Sequence, residues 1–280
     1  MSLCFIDWNV DPVLFHIGSM GIRYYSIFFA IAFWLGYVIT DKMFRDQKVP
    51  EGMLDKVFFL IIIATVIGSR LGHCLFYGWD YYSQHPLEIL QVWKGGLASH
   101  GGTIGILIAL FFFSKYVSHK SMLWILDCVC VPIALAAFFI RMGNLMNSEI
   151  VGMPTDVPWA FRFLRLRPDE AFIPRHPAQI YEALFYLCVF GVLWFLYWKK
   201  HLIVRHGALF GIFMVSVFGF RLFIEHFKEN QEAFEDAMTI NMGQLLSIPM
   251  VIIGVASLIY AFSSKPDTTI YPAENNKLLS

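Results

Sequence analysis

The chain has 280 residues, of which 58% are hydrophobic, 17% aromatic and 15% charged, and its mean hydropathy is +0.60. Soluble domains carry roughly a quarter charged residues, so this chain has too little polar surface to cover a water-soluble globule. Lys plus Arg balances Asp plus Glu at 21 each, which leaves no electrostatic footprint for a nucleic-acid partner.

The bilayer is therefore the expected solvent, and a spanning helix needs about 20 largely apolar residues. In chain order, seven stretches qualify: 22–41, 54–77, 97–114, 122–141, 178–198, 207–226 and 242–262. The expected fold is all-α, a polytopic membrane protein with about seven transmembrane helices. It reads as one membrane domain over 1–262, with a long connection at 142–177, followed by a polar tail over 263–280. No internal repeat divides it into matched halves. The five cysteines, Cys4, Cys74, Cys128, Cys130 and Cys188, are scattered and form no CxxC pair. They read as small buried hydrophobes, and no metal site is expected. The first residues, Met1-Ser2-Leu3-Cys4-Phe5, lack a basic stretch ahead of an apolar run, so no cleavable signal peptide is expected.

Basic residues in the loops set the orientation. Lys42, Arg45, Lys48, Lys115, Lys120, Lys199, Lys200, Arg205, Lys265 and Lys277 fall on one side, in short loops. Lys94, Arg162, Arg165, Arg167, Arg175 and Lys228 fall on the other, spread over longer connections. The positive-inside rule puts the C-terminus in the cytoplasm and the N-terminus outside.

Arg23, Lys56, Arg70, Arg141 and Arg221 lie within or at the ends of spans. Lys56, at a helix end, can snorkel. A charge in a span costs about 2.5 kcal/mol or more, which makes the four arginines functional-site hypotheses. Arg70 and Arg221 each lie about 21 Å along their helices from the cytoplasmic end, and Arg141 and Arg23 border the outer side. His100, His176, Gln179 and Glu182 also open spans from outside, whereas Asp127 lies toward the cytoplasm and reads as a cap or a pairing partner. One polar site facing the outer leaflet accounts for this clustering.

Three segments carry chemistry. Gly95-Gly96-Leu97-Ala98-Ser99-His100-Gly101-Gly102 sets a histidine among glycines; it suits proton transfer at a ligand, and a helix-packing glycine patch has the same sequence. Arg141-Met142-Gly143-Asn144, followed by Asn147, Glu149 and Gly152, offers a guanidinium fork for phosphate and amides to orient it, or simply a helix end entering a polar loop. In Arg175-His176-Pro177-Ala178-Gln179-Ile180-Tyr181-Glu182, Pro177 suits a first helical turn, and Gln179 and Glu182 share a face. Arg221 and Glu225 are four apart and can pair. There is no phosphate loop, dinucleotide fingerprint or HExxH pair, so no cofactor is expected. From the residues alone the reading is an outer-facing enzyme or binder of an anionic lipid. A lipid transporter or scramblase and a headgroup hydrolase remain open.

These motifs together resemble the prolipoprotein diacylglyceryl transferase family. The resemblance runs nearly end to end: Asp11-Pro12-Val13 then Tyr24-Tyr25, Gly68-Ser69-Arg70-Leu71-Gly72, the His100-Gly101-Gly102 block, Arg141-Met142-Gly143-Asn144, Arg175-His176-Pro177, Arg221 with Glu225, and Met242-Gly243-Gln244. It implies an inner-membrane enzyme of bacteria whose active site faces the periplasmic leaflet. The implied reaction moves a diacylglyceryl group from phosphatidylglycerol to the lipobox cysteine thiol of a prolipoprotein signal peptide, forming a thioether and releasing glycerol phosphate. On this reading His100 is the base for the thiol and Tyr25 assists it. Arg141 and Arg221 stabilise the departing phosphate, Asn144 orients the headgroup, and Glu149 and Glu225 hold the arginines. Arg70, Gly101, Gly102, Gly152 and His176 complete the expected lipid-binding set. The chain departs from the family in three places. Ser148 stands where Gly is frequent, Val217 where Tyr is frequent, and Lys94 where an acid is frequent.

Overall fold

The computed structural model describes residues 5–229 and 240–268. Cys4, Lys277 and the tail from residue 269 onward lie outside the described residues. In chain order the elements are β1 (Ile6–Trp8), β2 (Val13–Ile17), β3 (Met20–Arg23), α1 (Tyr24–Asp46), α2 (Met53–Phe76), the short α3 (Trp79–Tyr82), α4 (Ser99–Phe113), α5 (Met122–Met146), β4 (Phe161–Phe163), β5 (Pro174–Arg175), α6 (Ala178–Lys200), α7 (Ala208–Ile224) and α8 (Met242–Ser263). Seven helices are long and apolar enough to cross a membrane, α4 counted through Ser118 and α7 through Phe227. Phe59, Ile252 and Ile259 are each 63% exposed on these helices, as expected where lipid replaces water around them.

Each long helix coincides with one expected span, but two run further. α1 continues to Asp46 and α5 to Met146, so Arg141 lies inside α5 rather than ending it. An apolar run measures the thickness of hydrocarbon, whereas the helical hydrogen-bond ladder can continue into the interface. The strands are a second departure from the all-α expectation. β1 pairs in parallel with β4 (Ile6 opposite Phe161), β4 pairs antiparallel with β5, and β2–β3 form a hairpin. At two to five residues each, they are too short for alternation to register in the sequence.

The described residues group into two compact units, 5–39 with 126–268, and 40–125. In the first, the connection after α5 builds its own small core. Leu145, Val151, Phe161 and Phe163 are buried there, with Trp8, Met142, Leu166 and Ile180 against them, and the Trp8 indole N–H donates to the Leu145 carbonyl at 3.0 Å. Arg162 makes a two-pronged pair with Asp7 at 2.6 and 2.9 Å, Arg165 pairs with Asp11 at 2.8 Å, and Arg167 pairs with Glu170. The Val13 amide at 2.8 Å, helped by Arg165, holds the Asp11 carboxyl below its ordinary value. The arginines of the long connection thus fasten the N-terminal segment and the loop itself.

At the far end of α5, Asp127 is a cap. Its two carboxylate oxygens accept from the Gly207 and Phe210 amides at 2.6 and 2.7 Å, satisfying donors that the first turn of α7 leaves free. Gly207, at φ 93, adopts a conformation that suits glycine alone. α8 opens with a capping box in which Asn241 accepts from the Gln244 amide at 2.8 Å and its own amide donates to the Gln244 side chain at 3.3 Å.

In the second unit α2 and α4 meet backbone to backbone. A Cβ on Gly72 would stand 2.7 Å from Gly101 Cα, and one on Gly105 would stand 2.5 Å from the Ala64 carbonyl oxygen. Among the described cysteines, Cys74, Cys128 and Cys130 are buried as expected, but Cys188 is exposed. It shares an outward stripe of α6 with Leu184 and Val192, where a thiol serves as another apolar group.

Candidate active site

The site grows from the last turns of α5. Arg141 and Asn144, three apart, meet where the guanidinium donates to the Asn144 side-chain oxygen at 3.2 Å. The Arg141 Nε lies 3.1 Å from a carboxylate oxygen of Glu182, whose side chain is completely buried. Glu182 belongs to a polar stripe on α6 with Gln179 and Tyr186, all buried, the helical spacing that places side chains on one face. The Tyr186 hydroxyl donates to Glu182 at 3.2 Å, and the Gln179 amide donates to the Glu149 carbonyl at 2.7 Å.

Glu149 differs from its expected role of holding an arginine. Its carboxylate accepts from the side-chain amides of Asn144 and Asn147, each at 3.1 Å. Positive φ at Ser148 and Ile150 (55 and 57) folds the chain back over the helix end, where the Glu149 amide donates to the Asn144 carbonyl at 2.9 Å. The counter-ion of Arg141 is Glu182 instead.

Arg221 and Glu225 do pair, at 3.2 Å across one turn of helix. Glu225 also accepts from Lys228 at 2.9 Å and from the Asn241 amide at 3.3 Å. Gly243 makes room for it, since a Cβ there would stand 2.7 Å from the carboxylate carbon. Lys228 reaches on to Glu182 at 3.4 Å. The result is one chain of ion pairs, Arg141–Glu182–Lys228–Glu225–Arg221, drawn from α5, α6 and the end of α7. The sequence reading placed Lys228 among the loop charges, yet its side chain is 2% exposed. Arg221 is 35% exposed, and among the described residues its terminal guanidinium nitrogens have no hydrogen-bond partner. Tyr25 packs its ring on Gly143 so closely that a Cβ there would lie 2.6 Å away, which sets the phenol beside the Arg141–Asn144 turn.

Gly152 and His176 form a seam beneath this chain. The Gly152 amide donates to the His176 carbonyl at 3.0 Å, the Met153 amide donates to the Phe227 carbonyl at 2.9 Å, and Gly152 bridges Lys228 in antiparallel fashion. A Cβ on Gly152 would come within 2.6 Å of His176 Cβ, so this glycine serves close backbone approach. Arg175, 3% exposed, pairs with Glu229 at 2.9 Å and donates to the Gly152 carbonyl at 3.3 Å. The Tyr181 hydroxyl accepts from Trp159 at 2.7 Å and shares a hydrogen bond with His176 Nδ1 at 3.2 Å. Burial pulls the His176 imidazole below its ordinary value.

The second unit holds Arg70 and the glycine block. Arg70 is committed to backbone oxygens, donating to the Ile89, Glu88, Gly95 and Gly96 carbonyls at 2.9, 2.7, 2.6 and 3.3 Å, and it faces the Tyr82 ring at 5.0 Å. It organises the α2–α4 connection. Gly101 and Gly102 are likewise packing residues; a Cβ on Gly102 would stand 2.5 Å from Ser69 Oγ. His100, at the start of α4, is exposed, with its ring 5.9 Å from Phe76 and 5.6 Å from Tyr77. Arg23, in the first unit, ends β3 as an exposed residue rather than joining the ion-pair chain.

Glu182 was noted in the sequence for its shared face with Gln179, but its pairing with Arg141 was not, and Tyr186 and Lys228 were missed. The signal available was their spacing: Tyr186 follows Glu182 by four residues and Lys228 follows Glu225 by three. Among the described residues no three His, Cys, Asp or Glu side chains are grouped to hold a metal ion.

A family model described as prolipoprotein diacylglyceryl transferase matches residues 12–260. A phosphatidylglycerol–prolipoprotein diacylglyceryl transferase of Chloroherpeton thalassium is 46% identical over 251 residues, covering 90% of this chain and 92% of the relative. Proteins of the same name from Porphyromonas gingivalis and Tolumonas auensis are 44% and 41% identical, covering 92% of this chain and 95% and 98% of their own lengths. With an ion-paired arginine cluster on a bundle of membrane-crossing helices and relatives matched along nearly their whole lengths, the chain belongs to the prolipoprotein diacylglyceryl transferase family and is a transferase.

Proposed function

We propose that this protein transfers the diacylglyceryl group of phosphatidylglycerol to the lipobox cysteine thiol of prolipoproteins. The thiolate sulfur attacks the glyceryl carbon that carries the phosphate. The carbon–oxygen bond breaks, a thioether forms and glycerol phosphate leaves with the bonding electrons. The observation that carries this reading is Arg221, ion-paired through Nε and retaining its terminal nitrogens, in one chain of ion pairs with Arg141. Preorganised donors in a site that excludes water are worth most where charge develops, here on the departing phosphate. Asn144, held by Glu149, orients the headgroup beside Arg141.

A free thiol has a pKa of about 8.5, so the reaction also needs a proton acceptor. His100 takes that role on the strength of the family resemblance, with Tyr25 assisting. The loop charges support an N-terminus outside, a C-terminus in the cytoplasm and a site in the periplasmic leaflet of a bacterial inner membrane.

The test is mass spectrometry of a cysteine-containing lipobox peptide after incubation with purified protein and phosphatidylglycerol. The expected product is a peptide heavier by one diacylglyceryl group, formed together with glycerol phosphate. His100→Ala and Arg141→Ala should each abolish it while the proteins still fold. Lipid movement between leaflets with no modified peptide would indicate a scramblase, and diacylglycerol released without peptide would indicate a hydrolase. Full transfer by His100→Ala would remove its assignment as base.

A further inference from the structure

Lys228 is a fully buried cation that the reaction as described does not use. Its ammonium lies between two carboxylates, 3.4 Å from Glu182 and 2.9 Å from Glu225. Each carboxylate already holds an arginine, Glu182 holding Arg141 at 3.1 Å and Glu225 holding Arg221 at 3.2 Å. Without the lysine these would be two separate pairs, each electrically balanced and free to shift independently. With it, the pairs become one framework of three cations and two anions. Glu149, exposed and bonded by two amides, makes no ion pair among the described residues. Its carboxylate nevertheless reaches Arg141 through Asn144, so three cations face three carboxylates, and what Lys228 adds is the link between the two pairs. The backbone of Lys228 is pinned as well, by its bridge to Gly152 and by the Phe227 carbonyl, which accepts from Met153 at 2.9 Å.

We propose that Lys228 is a positioning residue for lipid transfer: it couples the Arg141 and Arg221 side chains through their carboxylates, so that the two guanidinium groups meet one lipid phosphodiester in a fixed arrangement. An isolated charge is costly to bury, and a lysine held at this depth by two carboxylates is worth keeping only if the framework it completes is used. The inference rests on the transferase reading above, and its test is arranged so that the two can fail separately.

Wild type, Lys228→Arg and Lys228→Met are assayed for transfer from phosphatidylglycerol to the lipobox peptide, and thermal stabilisation by phosphatidylglycerol is measured in detergent. Lys228→Arg keeps the charge and reaches both carboxylates, so it should stay within about tenfold of wild type in kcat/KM. Lys228→Met should fall at least about a hundredfold, with a raised KM for the lipid and with phosphatidylglycerol no longer raising its Tm. If Lys228→Met does not fold, the double variant Lys228→Met/Glu182→Gln, which removes one charge of each sign, takes its place, and its kcat should drop by a similar factor. A folded Lys228→Met or double variant with wild-type constants and wild-type lipid stabilisation overturns the proposal, and so does a Lys228→Arg variant as inactive as Lys228→Met. A wild-type protein that never modifies the peptide overturns the transferase reading itself, whatever the variants do.

Discussion

Glu182 and Lys228 stand 3.4 Å apart in the interior although 46 positions separate them in the chain. This contact makes Arg141 and Arg221 parts of one structure. Arg141 is locked by a carboxylate that Lys228 shares, and Arg221 by a second carboxylate that Lys228 also shares. The consequences can be measured at several positions.

Arg221→Lys should be severely impaired, by about a hundredfold in kcat/KM. An ammonium can pair with Glu225 or face a phosphate, but it lacks the planar fork that does both. Steady-state kinetics with phosphatidylglycerol and peptide checks this. Near-normal turnover would mean that charge pairing alone is required.

Gly101→Ala should lower stability by about 1–3 kcal/mol, the usual effect of overpacking. The added methyl would face backbone, with Gly72 Cα 2.8 Å away and the Gly68 carbonyl oxygen closer still, and backbone yields less than a side chain. The expected signature is a lower Tm in detergent with an unchanged KM for the lipid in the folded fraction. A raised KM at unchanged Tm would restore Gly101 to the ligand-binding role that the sequence suggested.

Ser148→Gly should stabilise the protein by up to about 1 kcal/mol, raising Tm by a few degrees. Ser148 holds φ 55, a left-handed conformation that costs a side-chain-bearing residue about 1–2 kcal/mol, offset in part by the greater unfolded-state freedom of glycine. Its hydroxyl is buried without a partner among the described residues, so removing it leaves nothing unpaired. The frequent glycine of the family at this position then has a backbone reason. A drop in Tm would show that the hydroxyl makes a stabilising contact.

His176 should make stability depend on pH in the mildly acidic range. Burial lowers its pKa in the folded state from the ordinary 6.5, so below that value the unfolded chain binds a proton that the folded chain resists. Its contribution is therefore fully present above pH 6.5 and declines as the pH falls below it. Unfolding followed from pH 7.5 down to 5 should give a flatter profile for His176→Gln than for wild type. Superimposable profiles would show that the imidazole titrates alike in both states.

Some relationships between residues one helical turn apart were legible in the sequence. Arg221 with Glu225 and the shared face of Gln179 and Glu182 both follow from helical spacing, because a helix brings such side chains together whatever surrounds it. Asp127 was legible as a cap or a pairing partner, since a lone carboxylate in an apolar span must find donors. The glycine block carried two readings, and only the approach of α2 to α4 shows packing for Gly101 and Gly102.

The apolar runs by themselves determined that this is a multi-pass membrane protein and roughly where its helices run, because about 20 apolar residues in succession have one stable arrangement in lipid. Local spacing determined the short-range pairs. Tertiary structure alone decided which partners each arginine meets. Arg70 and Arg141 are both arginines of membrane helices, yet one is consumed by four loop carbonyls and the other is held by a buried carboxylate. It also decided that Lys228 is interior rather than exposed. The physical reason is the same for both: besides its local contacts each cation meets an oxygen 18 to 46 positions away, and no local pattern specifies which distant oxygen a charge will meet.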